Sequence, residues 1–121
     1  MAIKSYRDLD VYVRARKLLL PIHQLIEQLP NTEKFNLGDQ MRRASKSVVD
    51  NIVEGYSHKE TPAKAKSYWR NSMGSANEMV EHLEQTSLFN YVSLAAVQPL
   101  ADEYTIIAKQ LYTLIQNWKK F

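Results

Sequence analysis

Cysteine is absent from this 121-residue sequence, so disulfides, thiolate metal sites and sulfur nucleophiles are excluded and stability has to come from packing. Such a chain suits a reducing compartment, and the expected location is the cytoplasm. Glycine and proline number only 3 and 4, too few turn makers for a β-rich fold, which favours long helices. No apolar run reaches the ~20 residues that cross a bilayer, and the stretch from Met1 to Asp10 lacks the apolar core of a signal peptide. No membrane association is expected.

Recognisable reaction chemistry is missing as well. His23, His58 and His82 lie in separate segments and form neither HExxH nor paired Glu-x-x-His, which speaks against a zinc hydrolase or a di-iron bundle. His23 with Glu27 and Glu78 with His82 are i,i+4 pairs, read as surface interactions. GxxxxGK[ST], GxGxxG and GxSxG are all absent, and so are helix-turn-helix, zinc-finger and ribonucleoprotein signatures. The expectation is a protein that is not an enzyme and has no cofactor, metal or small-molecule substrate.

What remains is apolar rhythm and charge. With 45% hydrophobic and 24% charged residues, residues 1–121 read as one globular domain. Val11, Ala15, Leu18, Ile22, Ile26 and Leu29 recur at helical spacing, and Pro21 should kink that helix. Leu37, Met41, Ala44, Val48 and Ile52 repeat the pattern, with Gly55 as the stop signal. Ala65, Trp69, Ser72, Ala76, Met79, Leu83 and Thr86 form a third stripe, behind Thr61 as N-cap and Pro62 at the first helical position. Val97, Ala101, Tyr104, Ala108, Leu111, Ile115 and Trp118 form a fourth, which starts either at Leu94 behind Ser93 or at Pro99. The predicted fold is all-α, an antiparallel up-down-up-down four-helix bundle with helices near 8–29, 37–56, 62–89 and 94–119.

Leu9, Val13 and Leu20 lie on the back of the first helix, Val49 and Val53 on the back of the second, and Gly74 on the back of the third. A back-face glycine costs helix propensity and makes sense where another backbone approaches, so these six residues are a candidate oligomer interface; the plainer alternative is apolar residues scattered singly over a surface, which are normal. Gln40, Arg43, Ser47, Asn51 and Glu54 form a polar stripe beside the apolar one on the second helix. Its two readings are a lined site or pore and a hydrogen-bonded seam that fixes helix register; the second is preferred, with Arg43 and Glu54 as charged ends.

Charge is uneven: residues 1–70 hold 13 Lys/Arg against 8 Asp/Glu, residues 71–121 only 3 against 5. Lys59, Lys64, Lys66 and Arg70 gather at the start of the third helix with His58 and Tyr68, where free backbone N–H groups attract anions. They are candidate nucleic-acid contacts, with Tyr68 available to stack on a base and Arg14, Arg16 and Lys17 extending the field. Arg42 and Lys46 are equally eligible, and a set of ordinary solvated lysines is the plainer reading. Two functions follow: a non-catalytic oligomeric scaffold that engages RNA, DNA or a nucleic-acid enzyme, or a protein-interaction module with no nucleic-acid role.

Several runs carry a resemblance: Tyr6-Arg7-Asp8-Leu9-Asp10-Val11-Tyr12, Leu37 with Gln40-Met41-Arg42-Arg43-Ala44, Ser47-Val48, Asn51-Ile52-Val53-Glu54-Gly55, and Gly74-Ser75 with Glu78. Together they resemble the bacterial four-helix bundle proteins encoded in 23S ribosomal RNA intervening sequences. The resemblance implies a homopentamer. It also implies kinship with accessory proteins of diversity-generating retroelements, which bind a reverse transcriptase and nucleic acid through a basic surface. The family signature falls on the polar stripe and on Gly74 and Ser75; Pro21, Asp50, Val53 and Ala65 depart from it.

Overall fold

Pro21 has no N–H to donate, and its ring crowds the carbonyl of Lys17 four residues back. In the computed structural model of the chain, which describes residues 2–119, the first helical block breaks at that point. Helix α1 spans Asp10–Lys17 and α2 spans Leu19–Ile26, with Leu18 as the turn residue between them. The bend stays local because the Leu18 N–H still reaches the Ala15 carbonyl at 3.2 Å and Ile22 reaches Leu18 at 3.0 Å. Ahead of α1, a 3-10 turn over Tyr6–Asp8 is held by a capping box: the Ser5 hydroxyl accepts from the Arg7 N–H, and the Asp8 carboxylate accepts from the Ser5 N–H. One expected helix over 8–29 is therefore three pieces.

A short helix α3, Asn31–Lys34, occupies the connection that the sequence suggested was only a turn. Glu33 within it accepts a 3.0 Å hydrogen bond from the Tyr91 hydroxyl, which ties α3 to the α5–α6 turn. Helix α4 covers Leu37–Ser57, α5 covers Pro62–Leu88 and α6 covers Leu94–Asn117. Ser93 settles the start of α6, since its hydroxyl accepts from the Ala96 N–H at 3.3 Å and the helix runs on through Pro99. Thr61 caps α5 with its backbone carbonyl, which accepts from Lys64 and Ala65 at 3.0 Å; its side chain makes no capping bond. Asn90 takes a left-handed φ of 59°, and Tyr91 and Val92 both donate to the Thr86 carbonyl, turning the chain from α5 to α6.

All four apolar stripes converge on one core. Ile22, Ile26, Met41, Ile52, Trp69, Met79, Leu83, Tyr104, Ile107 and Leu111 are fully buried in a single cluster. Between α4 and α5 the residues that meet run in opposite numerical order, Ser47 with Ser75, Val48 with Ser72 and Ile52 with Trp69, so these two helices are antiparallel. The described residues contain no strand.

Gly55 is not a stop. The helix continues past it to Ser57, and a Cβ at Gly55 would lie 2.2 Å from Nε1 of Trp69. The glycine is there because the pyrrole edge of the indole comes up against the α4 backbone, with Nε1–H donating to the Ile52 carbonyl at 3.2 Å.

Tyr104 is fully buried, yet its hydroxyl has no hydrogen-bond partner. Burial raises its pKa above the ordinary 10.0, because the phenolate would be desolvated in the core. The folded state thus holds this proton more tightly than the unfolded chain. Its contribution to stability is complete below pH 10 and is lost as pH climbs from there toward the folded value. Tyr104→Phe is expected to stabilise the protein at pH 7 by about 1 kcal/mol, by removing an unsatisfied buried group, and to reduce the loss of stability above pH 10. Urea titrations at pH 7 and above pH 10 test this; a less stable variant at pH 7 would contradict it.

Candidate functional site

The structure disperses the basic residues that the sequence grouped. Lys64 and Lys66 are two positions apart on α5, which turns them about 200° from one another around the helix axis. Lys66 and Arg70, four apart, share a face. The Lys59 ammonium sits 4.7 Å from the centre of the Tyr56 ring, and its backbone carbonyl accepts from the Trp118 indole at 2.9 Å. Tyr68 is stacked on His58, 5.3 Å between centroids and 8° from parallel. Its ring is thus half-covered rather than open on both faces, and a base could stack only on the end of this pair.

Arg14 already has a carboxylate partner within the chain. Its guanidinium is ion-paired with Glu103 on α6 at 2.6 Å, so it fastens α1 to α6. Arg42 is likewise bound to Asp39 at 2.7 Å and to the Lys34 carbonyl at 2.9 Å. No ion pair to a carboxylate exists among the described residues for Lys17, Lys64, Lys66 and Arg70. These cations, with Lys59, remain as the candidate basic surface, and Lys64 stands in the first turn of α5, where the helix dipole adds positive potential.

The polar stripe is a seam only at its centre. Ser47 and Ser75 share a 2.8 Å hydrogen bond across the α4–α5 interface, and the Asn51 amide donates to the Ser47 hydroxyl and carbonyl, both at 3.0 Å. Gln40, Arg43 and Glu54 are exposed, and Glu54 reaches only His58, at 3.9 Å. They are far enough around α4 to face water, so no desolvation forces partners on them.

The candidate interface also divides. Leu9 and Val49 belong to the chain's own core and Val53 packs against it, because the 3-10 turn and α1 lie over this side of α4. A helical wheel misplaces Leu9: its ψ of 125° makes it an extended N-cap residue rather than a helical one. Val13 and Leu20 do face outward, with Leu20 63% exposed, and Gly74 has nothing within 4 Å of its virtual Cβ. His82 is a further correction, since it is buried rather than on the surface; Nε2 meets Glu78 at 2.9 Å while Nδ1 has no partner.

The sequence reading missed an apolar set at the α5–α6 turn. Leu88, Phe89 and Leu94 are all more than half exposed there, and Phe35, after α3, is 78% exposed. The stretch between Arg70 and Lys109 has no Lys or Arg, so this end of the chain also lacks basic charge. A hollow of about 670 Å³ is a mainly apolar groove between the N-terminal segment and α6, lined by Ile3, Leu9, Val11, Ile106 and Leu114. Among the described residues no group of three or more His, Cys, Asp or Glu is placed to hold a metal ion, and no helix is long and apolar enough to cross a membrane.

Four main helical segments around one core define an all-α protein. A family model, 23S rRNA-intervening sequence protein, matches residues 7–113, and the chain belongs to that family. Among solved structures, it resembles a protein of unknown function from the S23 ribosomal protein family of Bacteroides thetaiotaomicron, with a TM-score of 0.79 at 23% identity over 88% of this chain and 96% of the other. At that identity the likeness speaks for the fold alone. No match is found among curated proteins.

Proposed function

We propose that this protein is a non-catalytic, self-associating scaffold whose basic surface engages nucleic acid or a nucleic-acid enzyme such as a reverse transcriptase. In this reading the chain is an up-down-up-down bundle in the bacterial cytoplasm, and a homopentamer is the assembly that the family resemblance favours. The observation that carries it is the set of cations without carboxylate partners, Lys17, Lys64, Lys66 and Arg70, on a chain whose other arginines include two tied into internal ion pairs. Unneutralised charge of this kind binds phosphate by releasing counterions and weakens steeply with salt.

A second reading is a protein-interaction module. It is supported by the outward apolar residues Leu20, Phe35, Leu88 and Leu94, which a nucleic-acid scaffold does not need. One experiment separates the two. Lys64→Glu, Lys66→Glu and Arg70→Glu together are expected to weaken binding to mixed RNA and DNA by at least about a hundredfold at low salt, leaving the particle mass unchanged. Undetectable binding by the unaltered protein at low salt sinks the nucleic-acid reading and leaves the interaction module.

A further inference from the structure

The α5–α6 end carries a groove of about 340 Å³ lined by the apolar Leu88, Leu94, Val97 and Ala101 and by the acidic Glu81 and Glu84. Leu88 and Leu94 are 74% and 61% exposed, an unusual cost for leucines on a surface with no cover. The groove's negative charge has no local compensation: from Asn71 to Ala108 the sequence has no Lys or Arg. Glu81 accepts one hydrogen bond, from the Gln85 amide at 2.9 Å, and no described cation pairs with Glu84. Such a surface repels phosphates and favours a helix with an apolar stripe flanked by cations.

The chain itself displays such a stripe, across two consecutive helices. Val13, Arg16, Lys17 and Leu20 all point outward across the α1–α2 bend, two aliphatic side chains bracketing two cations. Arg16 has only the Tyr12 hydroxyl as a partner, at 3.1 Å, and no described carboxylate pairs with Lys17. Both members of a complementary pair are therefore present on one molecule, on different elements.

We infer that the α1–α2 stripe of one copy docks in the α5–α6 groove of the next, with Val13 and Leu20 on its apolar lining and Arg16 and Lys17 against Glu81 and Glu84. This rests on the self-association proposed above and adds its surfaces and its mode. Because each copy uses two different patches, the contact is head-to-tail, closing into a ring if the rotation divides a full turn. Arg16 and Lys17 are then consumed in assembly, which leaves Lys64, Lys66 and Arg70 for an anionic partner.

Charge reversal tests this in sedimentation velocity, with circular dichroism confirming that these exposed changes keep the helices. Arg16→Glu with Lys17→Glu, and separately Glu81→Lys with Glu84→Lys, are each expected to abolish the assembled species, since like charges then face one another. An equal mixture of the two variants is expected to regain it, because each stripe now matches the other variant's groove. Variants that assemble like the unaltered protein mean that something other than this chain covers the groove, and the inference fails while self-association stands. A mixture that stays dissociated also overturns it. An unaltered protein that sediments as a single chain defeats self-association itself.

Discussion

Replacing Trp69 with alanine is expected to cost about 4 kcal/mol of stability, the largest single-residue loss in the chain. The indole is fully buried, its Nε1–H donates to the Ile52 carbonyl at 3.2 Å, and it meets Trp118 edge-on at 5.1 Å. Truncation removes the transfer free energy of the ring and leaves a cavity that two α-helices cannot collapse to fill. The same residue joins α4 and α5, so cooperativity should suffer together with stability. Urea unfolding followed by circular dichroism measures both. A loss below about 2 kcal/mol would mean that the ring is not the keystone its burial implies.

Alanine at Gly55 is the second large effect, and its direction runs against local propensity. In a helix interior, Gly→Ala ordinarily gains about 1 kcal/mol. Here the new methyl would lie 2.2, 2.5 and 2.7 Å from Nε1, Cδ1 and Cε2 of Trp69, well inside van der Waals contact. The ring has nowhere to go without breaking its bond to Ile52 or displacing core neighbours, so a net loss of about 3 kcal/mol is expected. The two sites are one feature, and a double-mutant cycle shows it. In a Trp69→Leu background the indole is gone, and Gly55→Ala should cost at least about 1 kcal/mol less than it does alone. Additive costs would show that the close approach is not what demands the glycine.

Both residues were visible in the sequence, but only one of them in its role. Trp69 lies on the apolar stripe of the third helix and is found in the core. Gly55 ends the apolar stripe of the second helix and so resembles a terminator; nothing in one sequence announces that an indole 14 positions later lies against it. The same limit explains Leu9 and Val49. A helical wheel assigns faces within a helix, but the cover supplied by the Tyr6–Asp8 turn and α1 is a tertiary fact. His82 was misjudged for a related reason, since spacing identifies its Glu78 partner and says nothing about its burial.

The candidate site was less legible than the fold. Counting charges found the basic half of the chain, yet pairing distances decide which cations remain available, and Arg14 and Glu103 are 89 residues apart. The acidic α5–α6 end was present in the sequence as a long stretch without Lys or Arg. It becomes a groove only when Leu88 and Leu94 are brought together across the turn at Asn90.

Local chemistry is enough to place the four main helical blocks of this protein, because apolar residues at helical spacing bury one face only when the backbone is helical, and Pro21, Pro62 and Ser93 act on their immediate neighbours. What the outer surface offers is decided by packing: which cations keep an unneutralised charge, which valines are covered and why Gly55 has to be glycine. Those properties depend on contacts between residues far apart in the chain, and spacing along one helix carries no information about what lies opposite it.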